Sequence, residues 1–162
     1  MPRVDSQSPL LPSVLDRLID HEPDVSTEPA WRQSQNLQEF ERSVLRDLEA
    51  LLNTRQTRPD LPPDMSHVAQ SLLSYGLPDF STTGVGNLKE REQLRQAVEL
   101  AIQRFEPRLR DIRVTLHDVE SQFDRALRLT IEGLLWVHPD PQPIAFDTLV
   151  QPASGQFVVK PT

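Results

Sequence analysis

A chain of 162 residues is long enough for one domain with a real core plus tails, and too short for two independent ones. A formal charge of −7 and a sequence pI near 5.0 set it against a phosphate backbone, which argues against nucleic acid as a partner. It has no cysteine, so disulfides, zinc–thiolate sites and cysteine nucleophiles are all absent, as suits a reducing compartment.

Arg3 is not followed by an apolar core of signal-peptide length, and no run approaches the ~18 apolar residues of a membrane span. The chain is therefore expected to be soluble and unexported. Five of its 15 prolines fall within the first 29 residues, and residues 1–30 read as an extended arm ahead of a single domain over 31–162. Within the arm, residues 13–20 place Val14, Leu15, Leu18 and Ile19 on one helical stripe with Ser13 as cap. So short a helix is unstable alone and must dock, either on its own core or on a partner chain.

Residues 36–54 carry the first long helical pattern, with Leu37, Phe40, Val44, Leu48, Leu51 and Leu52 at three- and four-residue steps and Asn36 with Glu39 resembling a capping box. A proline-rich connection over 55–64 leads to a short predicted helix over 66–75, with Val68, Leu72 and Leu73 apolar and Gly76 closing it. Leu77-Pro78-Asp79-Phe80 then makes a tight turn with two apolar anchors. The glycine-bearing loop over 81–87 lacks P-loop spacing, and no Lys-Ser/Thr follows Gly86, so phosphate binding is not expected there. It opens the longest predicted helix, 87–105, with Leu88, Leu94, Val98, Ala101, Ile102 and Phe105 on its apolar stripe.

The period changes abruptly within IQRFEPRLRDIRVTL, residues 102–116. Pro107 lacks an N–H and biases Glu106 away from the α region, which ends the helix. Glu106 then faces the negative end of the helix dipole, so a cationic partner is expected among Arg104, Arg108 and Arg110. The pair reads either as a local surface ion pair or as a functional site. Beyond it, Ile112, Val114 and Leu116 alternate with polar residues, residues 126–137 repeat the alternation with a bulge or close approach at Gly133, and Ile144, Phe146, Thr148 and Val150 form a third strand. A short fourth strand covers 157–160. Helices followed by such a meander imply an α+β fold, with the helices packed on one face of a small antiparallel sheet of three to four strands.

Little here suggests chemistry. The four histidines, His21, His67, His117 and His138, show no metal-ligand spacing, no nucleophile elbow exists, and the arginines around Glu106 are wrong for the general acid of a glycosidase. No catalytic residue, metal or cofactor is expected. Trp31, in the arm, and Trp136, on the polar face of the second strand, are single aromatics, each an interface anchor or a local core residue.

SVLDRL near the start, DLEALLNTR, YGLPDFS at 75–81 and FEPRL followed by a strand together resemble the TssE family of type VI secretion baseplate components. That family is related to the contractile-phage baseplate wedge proteins once labelled lysozyme-like. The resemblance extends from about residue 13 to residue 159, in order and spacing. It implies a structural wedge subunit with a sheath-like domain, placed at the cytoplasmic face of the inner membrane without inserting into it. The partners it implies are TssF, TssG, TssK and the sheath subunits TssB/TssC. The family's Glu-Pro-Arg contact falls on Glu106, Pro107 and Arg108. Leu15 and Leu18 of the arm and Val158 of the last strand complete the expected partner-binding residues. The alternative is a peptidoglycan-cleaving, lysozyme-like hydrolase, which the missing second tuned carboxylate argues against.

Overall fold

The computed structural model describes residues 13–18, 24, 37–57, 66–80, 88–118, 127–137, 140–151 and 155–161. The expected Asn36 cap, Ile19, Trp31, His21, His138 and the 81–87 loop lie outside them.

Ser13 caps α1 (Val14–Leu18): its hydroxyl accepts from the Asp16 N–H at 3.1 Å, and its own N–H and O–H donate to the Asp16 carboxylate. α2 (Leu37–Asn53) buries Phe40, Val44, Leu48, Leu51 and Leu52 on one stripe, as its spacing predicts. The helix expected over 66–75 is instead a single turn, α3 (Ser66–Ala69), followed by a 3-10 turn, Leu72–Ser74. The Ser71 and Ser74 hydroxyls both donate to the Val68 carbonyl and tighten the chain there. The tightened turn leaves Leu72 and Leu73 exposed and buries Ser74.

Gly76, at φ +100°, lets the next residues return against the end of α2, where the Leu77 N–H donates to the Thr54 carbonyl at 2.8 Å and the Gln56 N–H to the Leu77 carbonyl at 2.9 Å. α4 (Leu88–Phe105) buries Leu94, Val98, Ala101 and Ile102. Leu88, expected on that stripe, is 83% exposed, because the first helical turn runs beyond the core.

Past Pro107 the chain forms the antiparallel meander that its alternation predicts: β1 (Leu109–Asp118), β2 (Leu127–Leu135), β3 (Gln142–Val150) and β4 (Phe157–Pro161), in the order β1-β2-β3-β4. Register aligns Val114, Ile131 and Phe146 in one row and Leu129, Thr148 and Val159 in the next. These rows face α2 and α4 and form one core with them. The opposite face carries Arg113, Thr115, Arg128, Thr130, Glu132 and Asp147.

The bulge lies on β1, where the register slips between Arg110 and Arg113 and Asp111 takes a left-handed φ of 51°. Gly133 supplies the close approach from β2, since a Cβ there would stand 3.1 Å from the Arg110 carbonyl oxygen. The Thr148 hydroxyl, fully buried in the core, has no hydrogen-bond partner among the described residues.

Candidate assembly site at the seam of helix and sheet

Glu106 follows the last residue of α4, its N–H still donating to the Ile102 carbonyl at 2.9 Å. Because Pro107 stops the helix, the chain turns within two residues, and the Arg108 side chain folds back onto the Glu106 carboxylate. Arg108 Nε donates to Oε1 at 2.6 Å and Nη2 to Oε2 at 2.5 Å, a bidentate fork, while the Arg108 backbone N–H adds a third bond at 3.2 Å. The same guanidinium reaches α2, where Nη2 donates to Asp47 Oδ2 at 2.6 Å and Nη1 to Ser43 Oγ at 3.2 Å. It also lies 5.8 Å from the centre of the Phe40 ring.

Glu106 is 4% exposed. The expected surface ion pair is therefore a buried clasp joining α2 to the start of β1, and its cation is Arg108. Arg110 instead stacks 3.9 Å from the centre of the Trp136 ring. Trp136 follows β2 rather than standing on its polar face, with its N–H donating to the Arg108 carbonyl at 2.7 Å. Burial pulls the Arg108 guanidinium down, but bonds and charge from Glu106, then Asp47, outweigh it and hold the group above its ordinary value. The Tyr75 hydroxyl is pushed up by burial, then by the charges of Asp47 and Glu106; its ring meets Phe105 edge-on, with centroids 5.2 Å apart. YGLPDF thus packs beside the clasp.

The clasp continues to the arm. Arg46 donates to Asp47 Oδ1 from Nε at 3.0 Å and Nη2 at 2.8 Å, and its Nη2 pairs with Asp16 Oδ1 at 2.8 Å. Asp16, Arg46, Asp47, Arg108 and Glu106 form one alternating chain of charge across three segments. Burial raises the Asp16 carboxyl, yet the bonds from Ser13 and Arg46 prevail and hold it below the usual 3.8. Docking through Asp16 leaves Val14 76%, Leu15 51% and Leu18 76% exposed, so α1 sits on the body by its polar side with its apolar residues outward. Arg46 and Asp47 stand on the charged face of α2, opposite its apolar stripe, and Ser43 carries no local signal. A charged helical face reads as solvated, and nothing local reveals a partner 61 residues away.

Val158 lies in β4, the sheet edge distant from the clasp. Asn53, the last residue of α2, bonds both backbone groups of Phe157 at 2.9 Å each. Among the described residues no group of histidines and acids could hold a metal ion, and no helix is long and apolar enough to cross a membrane.

A helical layer clasped by buried charge to a four-stranded meander, with the apolar residues of a short helix turned outward, defines an α+β module. Residues 38–140 match the model of the family described as baseplate wedge protein gp25, and the chain belongs to that family. No curated protein matches. A solved chain of "The baseplate complex from the type VI secretion system" is similar at 21% identity and TM-score 0.49, covering 70% of this chain and 96% of that one.

Proposed function

We propose that the chain is a structural wedge subunit of the baseplate of a type VI secretion, or contractile injection, machine, working by binding at the cytoplasmic face of the inner membrane. The observation that carries this reading is the inverted seating of α1. A free-standing protein gains by burying Val14, Leu15 and Leu18, at about 25 cal/mol per Å² of apolar surface, but here Asp16 and Arg46 hold the helix the other way round. Family membership supplies the context.

In this reading the outward triad is an anchor for other wedge subunits, TssF, TssG and TssK, and Glu106, Pro107 and Arg108 set the surface beside it. Glu106 acts by fixing α2 against β1, with Pro107 and the rim of Arg108 available for contact. The β4 edge, where Val158 and Val159 lie, receives an extended segment of the sheath subunits TssB/TssC. No reaction is assigned: Glu106 is buried with both carboxylate oxygens on Arg108, so it cannot be offered to a glycosidic bond.

The test is Leu15→Ser combined with Leu18→Ser. Both residues are exposed, so melting should stay within about 0.5 kcal/mol of the parent, while affinity capture read by mass spectrometry should lose the wedge subunits. Undiminished capture by the double variant would remove the anchor from the reading. Clearing of a peptidoglycan suspension by the parent chain would replace the reading with a hydrolytic one.

A further inference from the structure

A strand at a sheet edge carries one row of backbone N–H and C=O groups that its own sheet cannot pair. In an antiparallel ladder both groups of a residue point to the same side, and successive residues alternate. The Phe157 N–H donates to Asn53 Oδ1 and the Phe157 carbonyl accepts from Asn53 Nδ2, each at 2.9 Å. Phe157 therefore faces away from β3. It follows that Val158 turns its groups to Leu149, Val159 turns outward, Lys160 turns to Asp147, and the next outward residue is Pro161, which has no N–H.

The edge donor within the strand is thus Val159, and a proline at Val158 would break the ladder inside the sheet instead. Asn53 offers Phe157 one donor and one acceptor in the arrangement that a neighbouring strand's peptide groups would offer. Its remaining amide hydrogen goes to the Glu49 carbonyl at 2.9 Å, which fixes the orientation. Upstream, the Gly155 N–H closes the hairpin on the Gln151 carbonyl at 2.8 Å. Between that closure and Pro161, Asn53 occupies one of the two outward residues, and a single remaining residue is too little for a ladder.

We propose that Asn53 is a removable stand-in for a fifth strand: it keeps the β4 edge closed in the unassembled chain, and an extended partner segment that lengthens the sheet takes the Phe157 groups over from it. The proposal rests on the reading that β4 receives a partner strand. Asn53 suits the role because it is an exposed side chain at a helix end and can swing away without disturbing the core. The incoming segment pairs with both Phe157 and Val159 and recognises main chain, with an apolar residue at every second position to lie beside the buried Phe157 and Val159 side chains.

Amide exchange on the folded full chain tests the guard, and sheath assembly in cells carrying a fluorescent sheath subunit tests the exchange of partners. In Asn53→Ala the Phe157 amide should exchange about tenfold faster or more, the loss of one ordinary hydrogen bond, with the Val158 amide unchanged. Asn53→Ser, also too short to reach Phe157, should behave alike and serves if the alanine variant folds poorly. Both should start sheaths at least as often as the parent, whereas Val159→Pro, checked for parental melting, should start none. An unchanged Phe157 amide in both Asn53 variants, or sheath initiation lost in both despite parental melting, overturns the proposal. Normal sheaths on Val159→Pro defeat the β4-edge reading, and the partner step with it, while a faster Phe157 amide would still establish the guard.

Discussion

Replacing Arg108 by Ala should destabilise the fold severely. The change withdraws the fork from Glu106, the bond to Asp47 and the bond to Ser43, and keeps for Glu106 only the backbone N–H at 3.2 Å. An exposed pair would lose less than about 1 kcal/mol. Here the carboxylate left behind is 4% exposed, and removing one partner of a buried pair costs about 3–5 kcal/mol. At about 2–4 °C per kcal/mol for a chain of this size, melting should drop by roughly 10 °C. Most of the loss comes from the stranded charge, so adding Glu106→Gln to Arg108→Ala should restore part of it. The assay is thermal and urea unfolding of parent, single and double variants. An Arg108→Ala protein within about 1 kcal/mol of the parent, or a double variant worse than the sum of its singles, would refute the buried-clasp argument.

Thr148→Val removes a buried hydroxyl without a described partner while nearly keeping its shape, and should stabilise by about 1 kcal/mol, seen as a higher urea midpoint at unchanged slope. Gly76→Ala places a Cβ 2.3 Å from the Thr54 carbonyl oxygen at a φ of +100°, so it should lose about 2 kcal/mol or more and the exchange protection of the Leu77 amide. Asp16 titrates in the folded chain below its ordinary 3.8, so its contribution to seating α1 is complete above that value and disappears as pH falls through the lower folded value. An acid titration followed by the Ser13 and Asp16 amide resonances should show this, and Asp16→Asn should abolish it.

What the sequence made legible was whatever periodicity encodes. The stripe of α2, the stop at Pro107 and the alternation of Leu127, Leu129 and Ile131 each sit where spacing puts them, because each reports a local choice between period 3.6 and period 2. At the start of α4 Leu88 is exposed although it continues the stripe, since a stripe does not say where the sheet beneath it ends. Leu72 and Leu73 leave the helical pattern because two serine hydroxyls on one carbonyl tighten the chain to three residues per turn. Of the site, Glu106 and its need for a cation followed from the helix dipole. Its burial did not, because that depends on Asp47 and Ser43, which meet Arg108 across 61 and 65 residues. The Asn53 guard was hidden for the same reason, with 104 residues between its partners.

Those separations also set a timetable. α2 leaves the ribosome before nearly everything it binds: Arg108 follows Asp47 by 61 residues and Phe157 follows Asn53 by 104. At synthesis rates of about 5–20 residues per second, Asn53 waits roughly 5–20 s for its partner. Early in that interval, before α4 and the first strands have been made, Phe40, Val44, Leu48, Leu51 and Leu52 form an apolar stripe with nothing to cover it. The meander needs only near neighbours and can zip from hairpin to hairpin as it emerges. The first long helix is therefore fastened in two stages, at Asp47 once Arg108 has been made and at Asn53 only when the final strand has been made.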